Sequence, residues 1–218
     1  MQSSCAEIRS DIRDRVLEIT IHRPERKNAL TMAMYTAMAE LLDAAAKDPE
    51  VRVVILTGTE DAFTSGNDLA DFLGGSASGE ESPVFQFMRA LYDFPKPVIA
   101  AVSGYAVGIG TTLLLHCDLS IAEDDAVFQL PFVNLGLCPE YASSYLLPRI
   151  MGQAKAAELL LLGEKFDAQT AAEVNICNEV VFSGEALERA RKLAAALALK
   201  APEAVRLTKK LLRRGTQE

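Results

Sequence analysis

Apolar and polar residues alternate over positions 7–11 and again over 16–22, on either side of the short link 12–15. A period of two is the mark of half-buried strands, so these runs predict an antiparallel hairpin. After Thr31 the period lengthens. Met34, Met38, Leu41, Leu42 and Ala45 recur at helical spacing, Thr31 suits the N-cap and Pro49 stops the element, which predicts a helix to about Lys47. The runs 51–57 (VRVVILT) and 98–102 (VIAAV) are apolar without alternation, as in strands covered on both faces in a parallel sheet. Positions 119–122, 127–129 and 179–182 are shorter strand candidates, with helical patterns between them. This alternation predicts an α/β fold with right-handed crossovers. The last third reads as helices over 141–151, 153–162, 168–173, 185–199 and 202–214, with Ser183 a candidate N-cap for the fourth. Residues 74–82 (GGSASGEES) are the one low-complexity stretch and read as a loop within the domain.

No charged residue occurs from Pro97 to Cys117, and Gly104 and Gly108 make a G-x-x-x-G inside that stretch. Pro95, Pro97 and Ser103-Gly104 interrupt it, and Gly108, Gly110, Thr111 and Thr112 make a poor lipid-facing helix. A buried strand, a glycine turn and a buried helix are expected there, with no membrane partner. Across 218 residues, half are apolar and 24% charged, enough for one large buried core. With 22 Lys+Arg against 30 Asp+Glu the net charge is −8, which argues against a broad basic face for nucleic acid or anionic lipid. Cys5, Cys117, Cys138 and Cys177 form no C-x-x-C pair, so free thiols are expected rather than a disulfide framework or a zinc site. Neither the first residues nor the final RRGTQE reads as a targeting signal, and a cytoplasmic location is expected.

Several general chemistries lack their residues. The two histidines are His22, at a strand end, and His116, in an apolar helix, and no G-x-S-x-G elbow accompanies them. There is no phosphate-binding G-x-x-x-x-G-K-[ST], and Gly108-Ile109-Gly110 lacks the third glycine of a dinucleotide fingerprint. No His/Cys/carboxylate cluster has metal spacing, so no metal is expected. Two glycine-containing loops remain, 63–69 and 103–110, each after a buried strand and leading into a helix. Such loops are either ordinary strand-to-helix turns or carriers of exposed N–H groups able to stabilise a negative oxygen.

The blocks His22-Arg23-Pro24-Glu25-Arg26-Lys27-Asn28-Ala29-Leu30, Val53-Val54-Ile55-Leu56-Thr57-Gly58 and Phe63-Thr64-Ser65-Gly66-Asn67-Asp68-Leu69 resemble the enoyl-CoA hydratase/isomerase (crotonase) family. So do Lys96 through Gly104, Cys117-Asp118 and Pro139 through Arg149, in the same order. The resemblance implies an α/β, crotonase-like spiral of ββα units over 1–199. It also implies the start of a C-terminal helical trimerisation region over 200–218; family members usually extend further, so either this region is shortened or its closing helices lie outside this sequence. A homotrimer or a dimer of trimers is implied with it. The implied ligand is an acyl-CoA thioester with no separate cofactor, coenzyme A being part of the substrate. Its carbonyl oxygen would meet the backbone N–H groups of Asn67 and Ile109. Arg23, Arg26, Lys27 and Ala29 would lie near the CoA adenine and phosphates, and Ser65, Gly66, Asn67, Asp68, Leu69 and Gly108 would line the rest of the path. A local Arg23/Arg26/Lys27 patch can serve a polyanion despite the overall acidity.

Where hydratases of the family carry two glutamates, this chain has Thr112 and Phe132. Hydration needs a group that activates water and manages a proton, which these side chains cannot do. Gly136-Leu137-Cys138-Pro139-Glu140, followed by Ser143-Ser144-Tyr145, instead resembles the Δ3,Δ2-enoyl-CoA isomerase branch, and the resemblance makes Glu140 the catalytic proton shuttle. From the residues alone, Glu140 behind Pro139 suits a helix first turn equally well. Phe128, Phe132 and Leu137 predict an apolar setting that raises its pKa. Asp68, Asp71 and Asp118 stay open as alternative carboxylates. The expected activity is acyl-CoA isomerisation; another enolate-forming, hydratase-like acyl-CoA reaction and a non-catalytic acyl-CoA-binding paralogue are the alternatives.

Overall fold

The computed structural model describes residues 1–74 and 79–214, so the stretch 75–78 of the low-complexity loop lies outside the described residues. Strands β1 (Ile8–Arg13) and β2 (Val16–Ile21) form the expected hairpin. Asp14 and Arg15 both take positive φ, 51° and 66°, the geometry a two-residue turn demands to match strand twist. Helix α1 (Met32–Lys47) follows, and Thr31 caps it by accepting from Met34 N.

Thereafter the chain climbs in repeating turns. Each turn gives one strand to a large sheet and the next to a small one: β3 (Val53–Thr57) then β4 (Ala62–Thr64), β5 (Val98–Val102) then β6 (Tyr105–Val107), β7 (Leu119–Glu123) then β8 (Val127–Gln129). Helices α2 (Leu69–Gly74) and α3 (Pro83–Asp93) join the first turn to the second. Helix α4 (Ile109–Thr112), running into a 3-10 turn at Leu113–His116, joins the second to the third. The first two steps between sheets need glycine. A Cβ on Gly58 would meet Ala62 O at 2.2 Å, and one on Gly104, whose φ is 59°, would meet Asp61 O at 2.1 Å.

Helices α5 (Ser143–Met151) and α6 (Gln153–Leu162) come next, then β9 (Lys165–Asp167), α7 (Ala168–Glu173), β10 (Glu179–Val181), α8 (Ala186–Ala198) and α9 (Pro202–Arg214). The large sheet runs β1-β2-β3-β5-β7-β10 and the small one β4-β6-β8-β9. Pairing is parallel except β1 with β2 and β8 with β9. Every residue of β3 and β5 is buried because the large sheet is covered twice. Val54, Leu56, Ala100 and Val102 join the core containing Met34, Met38 and Leu42 of α1. Val53, Ile55, Ile99 and Ala101 face Ala186, Ala190 and Ala194, whose small side chains let α8 lie close.

Several expectations change. The helix expected from 141 starts at Ser143, because Tyr141 and Ala142 sit at φ 52° and 55°. Ser183 does not cap α8: Glu185 holds that position, while the Ser183 N–H and Oγ bond Asp124 Oδ1 at 3.1 and 3.3 Å. Strands β4, β6 and β9 have three residues each, too few to show a period. Residues 97–117 divide into β5, β6 and short helical turns, and among the described residues no helix is long and apolar enough to cross a membrane. All four cysteines are free.

Candidate active site

Because β4 and β6 pair in parallel, Thr64 opposite Ala106, the loops that follow them leave the same edge of the small sheet. Two glycines let those loops pack backbone against backbone. A Cβ on Gly66 (φ 95°) would meet Val107 O at 2.9 Å, and one on Gly110 would meet Thr64 Cγ2 at 2.8 Å. The bonds around each loop then leave the candidate N–H over. Leu30 N donates to Gly66 O (2.8 Å) and Asp68 N to Leu30 O (2.9 Å), bracketing Asn67. Gly108 N donates to Gln129 O (2.9 Å), and the N–H groups of Thr111 and Thr112 return to Gly108 O, bracketing Ile109. Among the described residues, neither Asn67 N–H nor Ile109 N–H has an acceptor. The residues singled out as oxyanion donors thus sit at the carboxyl ends of neighbouring strands with donors to spare.

Glu140 lies between the 3-10 turn Val133–Leu135 and α5, outside the helix. The capping alternative therefore falls away: the carboxylate stands ahead of the left-handed pair Tyr141 and Ala142, and Ala142 occupies the N-cap. Its backbone oxygen accepts from Ser143 N (3.0 Å) and Ser143 Oγ (2.6 Å). Its side-chain Oε1 is buried without a hydrogen-bond partner, and burial pushes the carboxyl up to about 7. The other candidate carboxylates are all engaged. Asp68 accepts from Arg23 Nη1 (2.8 Å) and Ala70 N (3.1 Å), and the Arg23 bond holds its pKa down. Asp71 accepts from Met32 N (2.6 Å), and Asp118 from Val98 N (2.8 Å) and Lys209 Nζ (2.7 Å). Of these four, Glu140 has the carboxylate left over for chemistry.

The strained step after Glu140 is held by Tyr141. Its hydroxyl donates to Met88 O (2.6 Å), its ring stacks on His116 at 3.7 Å, and its carbonyl lies 2.8 Å from His116 Nε2. A carbonyl only accepts, so Nε2 carries the proton. Burial pushes His116 down to about 4, which leaves the imidazole neutral at pH 7. A cleft of about 820 Å³ lies between α3, the Leu113–His116 turn, α5 and α9, with Met88, Tyr92, Tyr141, Leu146 and Leu212 in its walls; Glu140, Asn67 and Ile109 do not line it. No carboxylate stands at 112 or 132: Thr112 is fully buried with an unpartnered hydroxyl, and Phe132 is buried.

The expected ligand-binding residues fall into two adjoining segments. Ser65 N donates to Lys27 O (3.0 Å) and Ser65 Oγ to Arg26 O (3.4 Å), which joins 23–29 to 65–69. Arg26 and Lys27 are exposed, Lys27 Nζ lying 3.6 Å from Asp61 and 5.8 Å from the Tyr105 ring centre. Arg23 is mostly covered, its guanidinium clasped by Asp68 and by Ala29 O (3.0 Å). Ala29 and Gly108 are half-buried, Gly66 is buried, and Leu69 is exposed. Sequence patterning missed Tyr35. It sits on the buried face of α1, only 1% exposed, and donates its hydroxyl to Asn67 Oδ1. Among the described residues no group of three or more His, Cys, Asp or Glu could hold a metal.

Residues 11–218 match the enoyl-CoA hydratase/isomerase family. Enoyl-CoA delta isomerase 2 of Rattus norvegicus is 38% identical over 213 residues, 93% of this chain but 53% of that protein, so the chain spans about half that relative's length. The 2,3-dehydroadipyl-CoA hydratase of Escherichia coli is 35% identical over 206 residues, 93% of this chain and 80% of its own. The structure of Pseudomonas aeruginosa OdaA superposes with a TM-score of 0.94 at 50% identity, covering 97% of this chain and 86% of that one.

Proposed function

The chain belongs to the enoyl-CoA hydratase/isomerase family, and from that premise we propose that it moves the double bond of a 3-enoyl-CoA thioester to the 2-position. The Glu140 carboxylate removes a proton from C2. The electron pair of that C–H bond flows toward the thioester, giving a dienolate whose oxygen lies between the N–H groups of Asn67 and Ile109. The dienolate then collapses, taking the same proton back from Glu140 at C4. The double bond ends between C2 and C3, and nothing is gained or lost. One carboxylate serves both transfers, and its raised pKa matches it to the task near neutral pH. Each N–H contributes on the order of 2.7–4 kcal/mol if it resembles measured oxyanion donors.

The observation that carries this reading is the pairing of one buried, unpartnered carboxylate at 140 with uncharged side chains at 112 and 132. The rat relative, named as a delta isomerase, points the same way. Exposed Arg26 and Lys27 suit CoA phosphates, whereas Arg23, clasped by Asp68, suits shaping the loop on which Asn67 sits. A homotrimer or dimer of trimers goes with this reading, and a sizing measurement giving a monomer would remove it.

Incubation of the purified protein with 3-hexenoyl-CoA tests the chemistry. The expected product has unchanged mass and a conjugated thioester, and Glu140→Gln loses about 10²- to 10⁴-fold in kcat. A product heavier by one water, full activity in Glu140→Gln, or acyl-CoA binding by calorimetry without turnover would each overturn the assignment.

A further inference from the structure

Tyr35 is a buried phenol with one polar partner, and that partner belongs to the site. Its hydroxyl, on the second turn of α1, donates to Asn67 Oδ1 from a position where the ring is 1% exposed and packs 5.6 Å from Phe87. The same helix start is stitched to the loop that presents Asn67: Asp71 accepts from Met32 N (2.6 Å), Asp68 N donates to Leu30 O (2.9 Å) and Leu30 N to Gly66 O (2.8 Å). The Gly66 carbonyl and the Asn67 N–H share one planar peptide, so the bond from Leu30 N holds that N–H from its carbonyl side. The Asn67 side-chain amide is a second hold, on the Cα that follows it. Ionisation of the phenol is opposed by burial first and by the charge of Glu140 second, so Tyr35 also lies within electrostatic reach of the carboxylate.

We propose that Tyr35 is a positioning residue, which holds the Asn67 side chain so that the Asn67 backbone N–H stays aimed at the substrate carbonyl oxygen. This rests on the oxyanion role given to Asn67 above. The donor is useful only if aligned before reaction begins, because a hydrogen bond weakens steeply as its angle departs from linear. A phenol anchored in the core costs little entropy to hold still, whereas a loop asparagine on its own would sample several rotamers.

The test combines kinetics with the infrared stretch of the thioester carbonyl in bound acyl-CoA, which reports polarisation by the N–H groups whether or not turnover follows. Tyr35→Phe is expected to lower kcat about tenfold, a fraction of what loss of a whole donor costs, with KM changed less than about twofold. It should also shrink the carbonyl downshift seen in the wild-type complex. Asn67→Ala keeps the backbone N–H but removes the anchor point, so it should reproduce both effects without touching the core. Tyr35→Phe combined with Asn67→Ala should be no worse than the poorer single variant. Wild-type kcat and carbonyl shift in Tyr35→Phe, or additive losses in the double variant, would overturn the proposal. If Tyr35→Phe does not fold, Asn67→Ala decides, and normal behaviour there overturns it. A wild-type complex with no carbonyl downshift removes the oxyanion reading itself, whereas a downshift that survives in Tyr35→Phe removes the role of Tyr35 alone.

Discussion

Gly66 and Val107 approach so closely that a methyl group on the glycine would stand 2.9 Å from the valine carbonyl oxygen. The contact is repeated from the other side, where a methyl on Gly110 would stand 2.8 Å from Thr64 Cγ2 and 2.9 Å from Thr64 O. The spacing of the two candidate N–H donors is therefore set by the absence of side chains. Gly110→Ala should push the loops apart. A misplacement of roughly 1 Å costs about a hundredfold in rate, so kcat should fall by that order while circular dichroism keeps the wild-type signature. An alanine variant with normal kcat would show that the loop spacing is not limiting.

In the proposed reaction Glu140 must be ionised to accept the C2 proton. With its pKa raised to about 7 by burial, kcat/KM should climb tenfold per pH unit on the acid side and level off above about 7. A profile levelling near 4.5, the ordinary range of a glutamate, would place a different, solvated carboxylate in the role.

The same burial makes Glu140 a cost to the fold at alkaline pH. In the unfolded chain it loses its proton near 4.5, and in the folded one near 7. Between those values the native state holds more protons, so stability falls as pH rises, by up to about 3 kcal/mol once both are passed. Glu140→Gln removes this term. Its melting temperature should exceed wild type at pH 8, and the two should converge below pH 4.5; equal melting at both values would contradict the burial.

Asp118 and Lys209 form an ion pair at 2.7 Å that ties α9 to the rim of the large sheet, where Lys209 also donates to Lys96 O (2.6 Å). Lys209 is 6% exposed, and burial pushes its pKa down to about 8. Removing one partner strands the other. Asp118→Ala should cost about 3–5 kcal/mol by urea unfolding, since it also strips Val98 N of its acceptor. Lys209→Met leaves a half-solvated aspartate still bonded to Val98 N and should cost less than about 1 kcal/mol. Equal losses would mean that the pair acts through packing alone.

The sequence spoke clearly where structure is local. The apolar strings of β3 and β5, the Thr31 cap and the periodicity of α1 were legible because each depends on neighbours along the chain. The three-residue strands β4 and β6 were not, although the loops after them carry the candidate donors, because their residues merge into the glycine-containing stretches 63–69 and 103–110 and read as loop. The loops after them drew notice through their glycines. Glu140 was legible as a candidate but not its freedom from the helix. The left-handed Tyr141 and Ala142 that detach it are held by Met88 and His116, 53 and 25 residues away from Tyr141. Tyr35 was invisible for the same reason, its partner lying 32 positions on.

A parallel pair cannot be closed by a hairpin. Between β4 and β6 the chain must lay down α2, α3 and the whole of β5 before Thr64 finds Ala106. Half of the candidate oxyanion site is therefore missing from any form of the chain in which β6 has not yet paired with β4, however much helix that form contains. A reactive enolate is costly to release into water. Under the proposed reaction, an architecture that withholds its stabilising amides until β6 has paired with β4 would leave a nascent chain inert rather than half-active.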